Sequence, residues 1–139
     1  MTRETPTVAA LLVCAGLCVT ASLPAHGAPA GQPADADAHK GWMNDAADAQ
    51  EDLRDALHAK KVAEATAAAM KIEALMAQTE AYWAEKKAAD IVTIAQESRA
   101  LATQVATAAK AARYTQADEA FQKMNARCNA CHDLHPEKR

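Results

Sequence analysis

The residues best suited to chemistry stand near the C-terminus, as Cys128-Asn129-Ala130-Cys131-His132. Two thiols followed at once by an imidazole form C-x-x-C-H, the attachment signature of c-type haem. The spacing has a chemical reason. Each thiol adds across one haem vinyl group to give a thioether, and the adjacent imidazole reaches the iron from the same helical turn. On a helix, Cys128 and His132 lie four positions apart and share a face. Three other readings use the same residues. A disulfide between Cys128 and Cys131 suits an oxidising compartment. A thioredoxin-like redox pair needs a βαβ context, and the sequence offers none. A zinc site would recruit His132 and His135 beside the two thiols, all on one short segment. One covalently held haem is the expected cofactor, with His132 as the proximal iron ligand.

The other end of the chain bears on the compartment. Residues 1–27 read as a secretory signal peptide: Arg3, an apolar run from Val8 to Leu23, then Ala25-His26-Gly27 with small residues where a signal peptidase reads. Ala28-Pro29-Ala30 offers a second cut. The run falls short of the ~18–20 residues that span a bilayer, so cleavage without later membrane insertion is expected. Val13 and Leu17 precede Cys14 and Cys18, where a lipoprotein signal wants a small residue. Cleavage leaves Cys128 and Cys131 as the only cysteines and places the mature chain in the periplasm. Residues 28–37 read as a flexible lead-in, and 38–139 as the haem-binding domain.

The 139 residues carry 15 Lys+Arg against 18 Asp+Glu, a net charge of -3, which excludes a polybasic nucleic-acid binder. From Trp42 to His135 there is no Gly and no Pro, only a stretch crowded with Ala, Glu, Lys, Gln and Met. Such a stretch forms helix almost throughout. The turn punctuation of a β-sandwich or an α/β fold is missing.

Apolar residues recur at 3–4 spacing in four stripes. Trp42, Ala46, Ala49, Leu53 and Ala56 make the first, with Leu57 beside it. Val62, Ala65, Ala69, Ile72, Met76 and Trp83 make the second, with Thr79 its one polar member. Ile91, Ile94, Leu101, Val105, Ala108 and Ala112 make the third, with Ser98 in the seam. Ala117, Phe121, Met124, Cys128 and Cys131 make the fourth. Asp37 is the expected N-cap of the first helix and Asp90 of the third. His58 to Lys61 is the expected first turn, because the stripe changes phase there. Thr115 with Asp118 resembles a capping box, so the fourth helix is expected to start there. Helices of roughly 20 residues, about 30 Å each, joined by short connections give an all-α fold: an antiparallel up-down-up-down four-helix bundle, with haem near the C-terminal end of the last helix. Residues 59–72 echo residues 111–124, as Ala65 with Ala117 and Ile72 with Met124. A core so rich in alanine is thin for a four-helix interior, and a large apolar cofactor would fill it.

In that arrangement the end of the fourth helix lies beside the start of the first. Met43 is therefore the candidate distal iron ligand, with Met76 a second thioether and His39 one turn before Met43. Tyr82, Trp83, Ile91 and Val92 line the same end. His58 reads as a solvated turn residue and His135 as exposed, ahead of Pro136.

With these residues in view, the chain resembles the class II cytochromes c, meaning cytochrome c′ and the low-spin cytochrome c-556 type. The resemblance rests on Cys128 to His132, on His39-x-x-x-Met43, and on the run from Arg113 through Ala117, Ala120 and Phe121 into the motif. It departs where that family usually carries Arg four residues after the haem His; here Pro136 stands. The resemblance implies haem binding and single-electron transfer in the periplasm, docking to redox partner proteins, and pairing into homodimers through the first two helices. Some members with an open distal face bind NO or CO on five-coordinate iron, the alternative function here. No catalytic residue beyond the haem ligands is evident, so no enzyme activity is expected.

Overall fold

The computed structural model describes residues 35–136; the expected signal peptide and most of the expected lead-in lie outside the described residues. The fold is all-α, with four helices and, among the described residues, no strand: α1 (Ala36–His58), α2 (Val62–Glu85), α3 (Ala89–Lys110) and α4 (Tyr114–Leu134). Each packs mainly on its chain neighbours, and α1 meets α4 over only a short stretch.

The helix starts differ from the sequence reading. α1 is capped by Asp35, whose Oδ1 accepts the Ala38 N–H at 2.7 Å. Asp37 lies inside the first turn, where its charge suits the helix dipole. α3 starts after Ala88 with no side-chain cap, and Asp90 is spent on another contact described below. α4 starts at Tyr114, one residue before Thr115, also without a side-chain cap. Tyr114 instead donates its hydroxyl to the Lys60 carbonyl at 2.7 Å, joining the α1–α2 and α3–α4 turns.

The three turns share one geometry. Lys60, Lys87 and Ala112 each adopt positive φ, at 54°, 58° and 54°. In each turn the next residue's N–H bonds back to a carbonyl five positions earlier: Lys61 to Ala56, Ala88 to Trp83, and Arg113 to Ala108, at 2.8–3.1 Å. This is the Schellman termination, which normally places Gly at the left-handed position. A side chain there costs about 1 kcal/mol or more against glycine. The opposite misfit occurs in α1, where exposed Gly41 sits inside the helix with open space around it. Ala112→Gly and Gly41→Ala are each expected to stabilise the fold by about 0.5–1 kcal/mol, read as a higher urea midpoint at unchanged slope.

The stripes bury largely as the spacing predicts. Ala46, Ala49, Leu53, Ala56 and Leu57 of α1, Ala65, Ala69, Ile72 and Met76 of α2, Val105 and Ala108 of α3, and Ala117, Phe121 and Met124 of α4 form the main core. Two members fall out: Val62 is exposed at the start of α2, and Ala112 is exposed in its turn. Of the positions that echo at an offset of 52, Ala65, Ala117, Ile72 and Met124 are all fully buried. More than half of the main cluster is alanine. Leu53, Ile72, Met124 and Val105 are its largest fully buried apolar side chains. On the outer face of α2 and α3, Arg99 bonds Glu73 at 2.6 Å and Glu80 at 3.4 Å. These exposed pairs fix helix register more than they add stability.

Candidate functional site

Cys128, Cys131 and His132 occupy the last turns of α4 and are all half-buried. The Phe121–Met124 stripe carries them inward, because Cys128 follows Met124 by four positions and Cys131 by seven. The end of α4 is fastened from outside. His135 Nε2 and Asp90 Oδ2 lie 2.8 Å apart, which ties this end to the first turn of α3. His135 is therefore half-buried and bonded, not exposed, and Asp90 serves as its partner instead of as a cap. The His135 contact holds the Asp90 carboxyl below the usual carboxylate range.

All three motif residues line one cavity to which all four helices contribute. The space enclosed inside it is about 100 Å³, and it opens to solvent at its mouth. α1 supplies His39 and Met43, α2 supplies Met76 and Trp83, and α3 supplies Ile91 and Ser98. The candidate ligands Met43 and Met76 thus share a cavity with His132. Ile91 and Trp83 line this cavity as expected. Tyr82 and Val92 belong to the apolar cluster at the same end, where Cys131 also packs. A second hollow, lined only by α1 and α4, opens on the other side of Cys128 and His132. Both hollows share Ala47 and Gln50 of α1, so the motif stands in the gap where α1 and α4 scarcely touch.

Burial pushes both thiols above the ordinary thiol range. For Cys128 the Ser98 hydroxyl, itself buried, partly offsets this; for Cys131 the negative charge of Asp90 adds to it. Both cysteines are free thiols. No disulfide joins them. His132 Nδ1 is buried and has no hydrogen-bond partner. An unsatisfied buried polar atom costs about 1–3 kcal/mol. Asn125 Oδ1, one and nearly a second turn back towards the start of α4, is buried and unpartnered too. Among the described residues no three His, Cys, Asp or Glu side chains are grouped to hold a metal ion, so the two thiols, His132 and His135 do not form a zinc-type ligand set.

Three features escaped the sequence reading. His39 is buried at 9% exposure, with Trp83 donating its indole N–H to His39 Nε2 at 3.0 Å. Its ring stacks on Tyr82, with centroids 4.6 Å apart. Trp42 stands edge-on to both rings, so three of the chain's five aromatic residues gather around one histidine. Ser98 reaches Cys128, and Asp90 reaches His135. For Ser98 the signal was present, as a polar residue inside an apolar seam. For His39 it was the 3–4 spacing to Trp42 and Met43.

No protein-family model, no curated protein and no solved structure matches this chain.

Proposed function

We propose that this chain is an exported, periplasmic monohaem c-type cytochrome that carries single electrons. The carrying observation is the C-x-x-C-H motif with both thiols free and all three reactive side chains on one cavity. The residues fit the group in three respects. The cavity is mostly apolar in its lining, the interior around it is built from small side chains, and His132 presents a buried nitrogen that no protein group satisfies. Cys128 and Cys131 would hold haem through two thioethers. Each S–H adds across a vinyl C=C, sulfur bonding one carbon and the thiol hydrogen passing to the other, with no oxidant consumed. His132 would serve as proximal ligand. Bound haem supplies a one-electron Fe(III)/Fe(II) couple whose potential is set by axial ligation, burial and nearby charge.

The chain's own residues supply position and exclusion. The three-residue turns support an antiparallel up-down-up-down order, which brings the start of α1 to the end of α4. The Asp90–His135 contact steadies the motif's helix end. Ile91, Met76 and Trp83 keep the cavity apolar. Met43, which lines the same cavity from α1, would supply a thioether ligand opposite His132, and a Met/His pair would raise the potential of a c-type haem. The net charge of -3 supports brief docking to a basic redox partner. No helix among the described residues is long and apolar enough to cross a membrane.

The test is the absorption spectrum of haem-loaded protein in both oxidation states. The oxidised wild type is expected to show the long-wavelength charge-transfer band of thioether ligation. Met43→Leu should lose that band and turn largely high-spin, while Met76→Leu keeps it. Loss in Met76→Leu alone would move the ligand to Met76. A high-spin wild type that changes on adding NO or CO would replace electron transfer with gas binding.

A further inference from the structure

Among the described residues three polar or charged side chains are buried: His39, Thr79 and Ser98. Thr79 returns its hydroxyl to the Leu75 carbonyl at 3.0 Å, one turn back in its own helix. Ser98 meets the Cys128 thiol. His39 is the one whose position the electron-transfer reading leaves unused, and it lines the same cavity as His132.

Imidazole is a good ligand for iron, and this one stands within a site proposed to hold iron. Its nitrogens decide whether it can bind. A neutral imidazole has one nitrogen carrying hydrogen and one carrying a lone pair. Trp83 Nε1 donates to His39 Nε2 at 3.0 Å, so the lone pair is at Nε2 and the hydrogen at Nδ1. An indole N–H only donates, so the bond has one sense. The ring is held on its face as well, stacked on Tyr82 at an interplanar angle of 13°, with Trp83 edge-on at 5.3 Å. Tyr82 and Trp83 both come from α2, while His39 comes from α1. Both aromatics are at least 92% buried, so water does not readily substitute for the indole.

We infer that Trp83 withholds His39 from the iron: its indole N–H occupies the one lone pair with which His39 could become a second axial imidazole. Trp83 is thus a positioning residue that sets the identity of the distal ligand without touching the metal. The inference rests on the haem reading above, but not on whether Met43 or nothing takes the distal place. The same hydrogen bond that closes the aromatic cluster also keeps the cavity free of a second strong ligand.

The experiment uses haem-loaded full-length protein matured in the periplasm, read by absorption and low-temperature electron paramagnetic resonance. Trp83→Phe keeps an aromatic ring and removes the N–H. It is expected to convert the iron to a bis-imidazole low-spin signature, and adding His39→Leu to that variant should abolish the signature. His39→Leu alone should leave the wild-type axial ligation as it was. If Trp83→Phe loses helicity, benzothienylalanine at position 83 replaces the N–H by sulfur in the same shape, with the same conversion expected. Unchanged ligation in either variant would overturn the inference. So would a wild type that already shows bis-imidazole ligation removed by His39→Leu. Absence of covalent haem from every variant, wild type included, would sink the haem reading itself, a result separable from the other two.

Discussion

Cys128→Ala combined with Cys131→Ala is expected to abolish covalent haem attachment completely, while the chain keeps its helices. In-gel peroxidase staining after denaturation reads this directly, because only covalently held haem survives. The reason for so large an effect is that no other cysteine is present in residues 28–139 to form a thioether. Each single variant should retain one thioether and a weaker stain. The fold should survive because both thiols are only half-buried, and no element depends on them for capping or turn geometry. His132 and the cavity remain, so the double variant should still take up haem reversibly and lose it in denaturant. An unchanged stain in the double variant would contradict the assignment of both residues.

Leu53→Ala is expected to cost about 3 kcal/mol, within the 2–5 kcal/mol range for truncating a buried leucine. Leu53 is fully buried on the inward face of α1. Ala46, Ala49 and Ala56 share that face, and Ala65, Ala69 and Ala102 are buried in the same cluster. Alanine has no rotamer with which to fill a hole, so the site collapses poorly and the residual cavity is large. With total stability of about 5–15 kcal/mol for a domain, the loss is a large share of the whole. Urea titration followed by circular dichroism measures it, with the expectation of a lowered midpoint at unchanged slope. A change below about 1 kcal/mol would mean that the core relaxes around the hole, against the poor collapse expected of alanine neighbours.

What the sequence made legible and what it hid divide along physical lines. The helices could be read because alanine and leucine at 3–4 spacing carry the burial pattern whatever the tertiary detail. Ala46, Leu53, Ala65, Ile72 and Met124 all lie where the stripes put them. The second and third turns could be placed only to within a residue or two, from Asp90 and Thr115, because their left-handed positions are held by Lys87 and Ala112 where glycine would have marked them. Asp35 and Asp37 are both suitable caps by type, and only the geometry of the Ala38 N–H selects Asp35. At the site, the motif itself and its inward register were legible from local spacing. The partners were not. His39 with Trp83, Ser98 with Cys128 and Asp90 with His135 each join residues at least 30 positions apart, and no local pattern records such a pairing.

The most direct measurement is the intact mass of the chain expressed with cytochrome-maturation machinery and purified from the periplasm. The expected value is the mature polypeptide plus one haem, with the addition localised to the peptide carrying Cys128 and Cys131. A mass equal to the bare polypeptide under those conditions would contradict covalent haem attachment, and with it the function proposed for the cavity.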